Sequence, residues 1–275
     1  MSGTDTTSAP TGATQIHTAV RAANDDGRAA LVIYLPAGFP DMPTSRACLE
    51  AAVEAGADVL EVGFPFSDPI MDGPTIQMAS QTALDQGYGV DDDLAMCAEL
   101  TANVDAPVLT MTYYTIPDRR GVDRFAQQCV EAGLAGAILP DLPADEAAPW
   151  TKAAAAAGLG TVFLASSVST DERLAAIGEV STGFVYATGL LGVTGVKDVG
   201  AETEQLVARI RPHTDAPVCV GVGIKTPQHA RDVASYADGV IVASAVVNAA
   251  NDGDPATAPQ RVGELVAALR EGCER

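Results

Sequence analysis

Glu61 stands at the end of the apolar run Ala57-Asp58-Val59-Leu60, where a buried strand should still be apolar. Asp72 follows in Met71-Asp72-Gly73-Pro74 on the loop which that strand feeds, with Asp68 between them in Pro65-Phe66-Ser67-Asp68-Pro69. A carboxyl at a strand's end is desolvated and its pKa rises, whereas one on the loop is wetter and stays ionised. Such a pair suits acid/base work, one group moving a proton while the other holds a charge. Each residue also has a plainer reading. Glu61 can pair with an arginine elsewhere, Asp72 can be half of a common Asp-Gly turn, and Asp68 before Pro69 can be a turn or cap residue. The combination favours chemistry, because all three lie at the same end of one strand.

Other chemistries find few residues to work with. His17, His213 and His229 fall in helical patterns or at their ends, no metal-ligand spacing occurs, and a Ser-His-Asp triad has no histidine to use. None of Lys152, Lys197 and Lys225 lies inside an apolar strand, where a Schiff-base lysine would be expected. No dinucleotide fingerprint accompanies the first strand-to-helix turn. Proton transfer therefore falls to the carboxylates. Tyr113 and Tyr186, at the ends of two strand patterns, can line a pocket and hydrogen-bond a ligand, or serve as core aromatics.

The elements that must position these groups repeat along the chain. Ala29-Ala30-Leu31-Val32-Ile33-Tyr34-Leu35 is a continuous apolar run, as in a parallel strand buried on both faces. "EAGADVLEVG" at 54–63 has a relative in "EAGLAGAILPD" at 131–141 and weaker ones at 157–166 and 235–244. Each is a helix end, a Gly or Asp turn and a short apolar strand. Eight strands are predicted, near residues 30, 58, 107, 136, 160, 183, 217 and 238. A short helix precedes the first, and helical patterns follow at 44–55, 91–101, 122–132, 144–157, 171–178, 201–211, 227–234 and 259–271. Eight βα units point to an α/β fold, a (β/α)8 TIM barrel, rather than an open doubly wound sheet. Residues 1–13 read as a disordered lead and residues 14–275 as one barrel domain with an extra N-terminal helix and short extra helices on its βα loops.

A barrel of this kind places its chemistry where the strands end. There the sequence offers a second constellation: Gly221-Val222-Gly223-Ile224 after the seventh strand, Ala243-Ser244-Ala245 after the eighth, and Gly192-Val193-Thr194-Gly195 after the sixth. Glycines let backbone N–H groups approach a ligand, and Ser244 is placed to cap a short helix, so the three loops can form a phosphate site. Tight turns alone are the simpler reading. Lys225 is a nearby cation or an exposed loop lysine.

The charge balance restricts partners. Asp and Glu number 36 against 16 Lys and Arg, a formal net charge of −20, which disfavours nucleic acid and anionic membrane. Five cysteines without a CxxC pair (Cys48, Cys97, Cys129, Cys219, Cys273) read as buried thiols in a reducing cytoplasm. No signal peptide or membrane-length apolar segment is apparent.

The motifs Leu60-Glu61-Val62-Gly63, Pro65-Phe66-Ser67-Asp68-Pro69 and Asp72-Gly73-Pro74-Thr75-Ile76-Gln77 resemble the signature of the tryptophan synthase alpha chain family. The likeness continues in Leu35-Pro36-Ala37-Gly38-Phe39-Pro40, Met111-Thr112-Tyr113-Tyr114, Leu139-Pro140-Asp141-Leu142-Pro143, Gly183-Phe184-Val185-Tyr186, Gly192-Val193-Thr194-Gly195 and Gly221-Val222-Gly223-Ile224. It runs over roughly residues 15 to 270. The resemblance implies a lyase that cleaves indole-3-glycerol phosphate to indole and glyceraldehyde 3-phosphate. By motif, Glu61 is the general acid/base and Asp72 holds the indole N–H. Thr194 meets Asp72 on loop closure, and Tyr34, Ile138 and Tyr186 line the pocket. Phosphate falls to Gly195, Gly223 and Ser244. The family works against a beta chain, in an α2β2 heterotetramer, and the pyridoxal phosphate cofactor belongs to that partner. The resemblance therefore implies no cofactor and no metal in this chain. Thr115 stands where the family commonly has asparagine, Ala243 replaces the usual glycine, and Gly189-Leu190-Leu191 makes the sixth loop more apolar. A left-handed conformation at position 243 would make that methyl cost about 1 kcal/mol. A stand-alone lyase releasing free indole and a non-catalytic barrel that regulates a beta chain are the competing readings.

Overall fold

Continuous apolar runs become parallel strands, because only a sheet covered on both faces buries them completely. The structure, a computed structural model, describes residues 11–189 and 201–275. Its strands are β1 (Ala30–Pro36), β2 (Val59–Gly63), β3 (Val108–Met111), β4 (Gly136–Ile138), β5 (Gly160–Ser166), β6 (Phe184–Thr188), β7 (Val218–Gly221) and β8 (Gly239–Val242). They pair in parallel in that order, and β1 pairs with β8, closing the barrel. Each strand lies where the repeat predicts it.

The helices are α1 (Gly12–Asp25), α2 (Met42–Glu54), α3 (Pro74–Asp85), α4 (Val90–Thr101), α5 (Thr115–Arg120), α6 (Val122–Glu131), α7 (Ala148–Ala157), α8 (Asp171–Val180), α9 (Ala201–Ile210), α10 (Pro227–Ala234), α11 (Ser244–Asn251) and α12 (Ala258–Gly272). Four boundaries or elements differ from the sequence reading. The lead expected to reach residue 13 gives way to helix at Gly12, since Thr11 caps α1 by accepting the Thr14 N–H at 3.3 Å. Residues 1–10 lie outside the described residues. The helix expected over 144–157 divides into a 3-10 turn, Ala144–Glu146, and α7. Pro149 is tolerated only in a helix's first turn, so one continuous helix cannot run through it. Helix α3 is absent from the sequence reading although its signal is present. Pro74 occupies its first turn, and Ile76, Ala79, Ser80 and Ala83 form its buried stripe. The short α5 was also missed; at six residues it is too brief for a periodicity to show.

Two apolar layers result. Ile16, Val20 and Ala23 of α1 join Ala30, Val32, Val59, Leu109, Ile138, Val162, Phe184, Cys219 and Ile241 in the barrel's interior cluster. A larger cluster fills the space between strands and helices and includes Leu60, Val62, Phe125 and Trp150. Helix α1 plugs the foot of the barrel. Cβ atoms placed on Gly136, Gly160 and Gly183 would lie 3.0, 3.0 and 3.1 Å from the Ile16 Cδ1 atom. β4 and β5 thus begin with glycine, and Gly183 immediately precedes β6, so that one isoleucine can fill the barrel floor. All five cysteines are free and buried, as their apolar surroundings predict.

Candidate active site

Strand parity decides where Glu61 points. Val59 belongs to the interior cluster and Leu60 and Val62 to the outer one, so Glu61 enters the barrel. It is fully buried, and neither carboxyl oxygen has a hydrogen-bond partner among the described residues. The simple alternative, an arginine partner, is therefore not realised there. Burial alone pushes the Glu61 carboxyl up to about 8, so it carries its proton at neutral pH.

Asp72 is set by a turn and a tyrosine. Its N–H donates to the Pro69 carbonyl at 3.0 Å, which makes it a turn residue. The Tyr113 hydroxyl accepts the Met71 N–H at 2.9 Å and hydrogen-bonds the Asp72 carboxylate. Burial pushes Asp72 up to about 6 while the Tyr113 bond pulls it down, leaving it mostly ionised at neutral pH. Phe66 stacks on Tyr113 with ring centroids 5.0 Å apart and planes 19° apart, fixing the phenol from its face. Asp68 is exposed, accepts the Ser67 hydroxyl at 2.6 Å, and stays in the turn role.

Tyr34 and Tyr186 complete the wall. In the β1–β2 ladder Tyr34 is the partner of Glu61. A Cβ on Gly63 would meet the Tyr34 hydroxyl oxygen at 2.2 Å, and one on Gly221 would meet that of Tyr186 at 2.3 Å. Each phenol therefore leans over a glycine at the end of a neighbouring strand. That is the structural use of Gly221, which the sequence reading had assigned to ligand approach. Burial, then Asp72 and Glu61, push the Tyr34 phenol well up; burial, then Glu61 and Asp72, do so for Tyr186. Both phenols feel both carboxylates, so the four groups share one space. Ile138, fully buried at the end of β4, belongs to the interior cluster beside Tyr186.

The phosphate loops are placed in part. Gly223 is exposed at φ +54, a conformation that favours glycine, with nothing within 4 Å of a would-be Cβ. Ser244 does not cap a helix as expected. It is the first residue of α11, whose cap is Ala243 with no side-chain hydrogen bond, because the serine already has helical backbone. Ala243 has φ −117, so its methyl causes no left-handed strain. The uncapped first turn of α11 leaves N–H groups suited to an anion. Lys225 is an exposed loop lysine. Thr194 and Gly195, with Leu190 and Leu191, lie outside the described residues.

Sequence reasoning quoted Phe66 and Asp141 only inside motifs and gave neither a role in the site. Asp141 Oδ1 accepts the Tyr114 N–H at 2.8 Å, joining the loops after β3 and β4. Among the described residues no group of histidine, cysteine and carboxylate side chains could hold a metal ion.

A closed (β/α)8 barrel with a fully buried glutamic acid inside it and a partly buried aspartate on the loop above defines the class: a TIM barrel whose strand-end face gathers carboxyl and phenol groups. Residues 20–273 match the family model described as tryptophan synthase alpha chain. Among curated relatives, the tryptophan synthase alpha chain of Streptomyces coelicolor is 48% identical over 253 residues, covering 91% of this chain and 93% of its own. That of Thermobifida fusca is 48% identical over 255 residues, covering 91% and 94%. Among solved structures, tryptophan synthase of Mycobacterium tuberculosis superposes with a TM-score of 0.88 at 41% identity, over 94% of this chain and 98% of the other. The alpha subunit from Legionella pneumophila gives 0.87 at 33% identity over 94% and 98%. The chain belongs to the tryptophan synthase alpha chain family. It is an enzyme of tryptophan biosynthesis, from the family of alpha-reaction lyases that work with a beta chain.

Proposed function

We propose that this chain cleaves indole-3-glycerol phosphate to indole and glyceraldehyde 3-phosphate with Glu61 and Asp72 as its catalytic pair. The observation that carries the reading is Glu61, fully buried in the barrel interior and without a hydrogen-bond partner among the described residues, so that burial pushes its carboxyl up to about 8. In the first step Glu61 gives its proton to the indole ring carbon that bears the side chain, and positive charge develops at the ring nitrogen. The ionised Asp72 accepts a hydrogen bond from the ring N–H and stabilises that charge. In the second step the Glu61 carboxylate takes the proton of the side-chain hydroxyl. Its O–H electron pair forms the aldehyde carbonyl, the carbon–carbon bond breaks, and the bond's electron pair returns to the ring. Net transfer is one proton from hydroxyl to ring carbon, which needs no redox partner.

Tyr34, Tyr113, Ile138 and Tyr186 line the indole pocket, and Thr194 meets Asp72 when the loop after β6 closes over the substrate. Gly195, Gly223 and the first turn of α11 at Ser244 hold the phosphate through backbone N–H groups, overcoming the repulsion of an acidic chain. The chain carries no cofactor in this reading, and pyridoxal phosphate serves the beta chain in a cytoplasmic α2β2 assembly. No helix of the described residues is long and apolar enough to cross a membrane.

Glu61→Gln tests the reading. It keeps the side chain's shape and removes the proton-transfer group, so indole release should fall by about 10²–10⁴-fold with far-UV circular dichroism unchanged. Near-normal turnover in a folded variant would remove Glu61 from its role.

A further inference from the structure

We infer that Asp141 is a positioning residue for the reaction, holding Tyr113 through the backbone of Tyr114 and thereby setting the position of Asp72. The argument starts from where β3 stops. Its last ladder pair is Met111 with Ile138, and the Thr112 N–H still donates to the Ile138 carbonyl at 3.0 Å. Beyond that point the chain leaves the sheet. The Tyr114 N–H is the next amide to be fixed, and its acceptor is Asp141 Oδ1 at 2.8 Å. Tyr114 precedes the short α5 in helical backbone, φ −58 and ψ −24, with no side-chain cap of its own. The Asp141 carboxylate is thus what holds the exit of β3 against the loop after β4.

Tyr113, one residue earlier, passes that placement on. It is 5% exposed, stacked on Phe66, and its hydroxyl engages both the Met71 N–H and the Asp72 carboxylate. The loops after β4, β3 and β2 are therefore tied in series, Asp141 to Tyr114, Tyr113 to Met71 and Asp72. A rotation of the Tyr114 peptide would move the Tyr113 phenol and release both of its partners. Reaction rates are sensitive to such shifts, since a 1 Å misplacement can cost about 10²-fold. The titratable groups around this point are few. Asp72 and Asp141 both act on Tyr113, Tyr34 lies beside it, and Tyr34 and Tyr186 feel Glu61 as well as Asp72. None of them replaces the Tyr113 hydrogen bond that draws Asp72 downward.

The inference rests on the catalytic reading of Asp72, so its test runs Asp72→Asn alongside. Purified Asp141→Ala and Asp141→Asn are assayed for indole release from indole-3-glycerol phosphate between pH 5 and 9. Asp141→Ala should lower kcat by about 10-fold while KM changes by less than about twofold. The acidic limb of its pH profile should move upward, because a loosened Tyr113 no longer favours the ionised Asp72. Asp141→Asn keeps a carbonyl acceptor for Tyr114 and should recover both turnover and limb. Asp141→Glu, which keeps the charge but sets the acceptor one methylene further out, carries the alanine expectation if alanine fails to fold. An Asp141→Ala enzyme with wild-type kcat and limb, beside an inactive Asp72→Asn, overturns the role of Asp141 alone. A kcat loss that Asp141→Asn does not recover, with the limb unmoved, also overturns it. An active Asp72→Asn overturns the catalytic reading beneath it.

Discussion

Two carboxyls with ordinary values of 4.5 and 3.8 end up in this barrel at about 8 and about 6. The difference between them is solvation and one hydrogen bond. Glu61 loses water and gains nothing, while Asp72 loses less and gains Tyr113. Between those two values the site holds the required pair of states, a protonated acid and an ionised stabiliser. The kcat/KM profile should therefore be bell-shaped, rising through about pH 6 as Asp72 ionises and falling through about pH 8 as Glu61 loses its proton. A profile flat across that range would contradict the assignment. The same shift has a thermodynamic consequence. Glu61 keeps its proton in the folded state up to about 8 but loses it near 4.5 when unfolded. Between those values the folded state binds more protons, so stability falls as pH rises, and the cost is complete above the folded value. Glu61→Gln has no such cost. Its Tm should match wild type near pH 4 and exceed it by on the order of a few °C at pH 8.5. Differential scanning calorimetry at the two pH values reads this directly. An equal Tm at both would mean that Glu61 has a partner in solution.

Elements divide their work by end. Above the floor, β1, β2 and β6 present Tyr34, Glu61 and Tyr186, Glu61 from the middle of β2 and not from its end as the sequence suggests, while β4, β5 and the residue before β6 present glycine to Ile16. Helix α1 is thus part of the core and remote from the chemistry. Ile16→Ala should lower the unfolding free energy by about 2–4 kcal/mol through the cavity it leaves, with kcat and KM close to wild type. Denaturant unfolding with steady-state assay checks both halves, and a large kcat loss in the folded variant would place α1 in the mechanism. The missed helix α3 follows from how its stripe is composed. Its buried Ile76, Ala79, Ser80 and Ala83 are mostly small, so the apolar period was weak beside the Pro-rich loop before it. The strands were legible because continuous apolar runs have one stable home in an α/β fold.

At the scale of the molecule, the segment between α1 and β1 is tied to residues 273–275 at the barrel's foot. Ala29 donates to the Cys273 carbonyl at 2.9 Å and Arg275 to that of Gly27 at 3.1 Å. Arg28 meets Asp58 in a two-pronged ion pair, Nη1 to Oδ2 at 2.5 Å and Nη2 to Oδ1 at 2.7 Å, and Asp58 also accepts the Leu31 N–H. The opposite end of the barrel carries the long loop after β2, on which Ile70 is 80% exposed. Adding a beta chain should raise indole release by about 10-fold or more, by ordering mouth loops that close over substrate. Light scattering of the mixture should give the mass of an α2β2 complex. Activity unmoved by any beta chain, with no complex formed, would leave the stand-alone lyase.

Local sequence determined the eight strands, the barrel class and the presence of a carboxyl where a strand should be apolar. These features depend on short-range periodicity and on a signature carried by neighbouring residues. Tertiary structure decided the rest. Whether Glu61 has a partner depends on everything packed around it, and Asp72 held by Tyr113 and Tyr186 leaning on Gly221 are relations between residues 41 and 35 positions apart along the chain. So is the bond from Asp141 to Tyr114, which spans 27 positions. Solvation and hydrogen bonding depend on what surrounds a group in space, and that neighbourhood exists only once the barrel has closed.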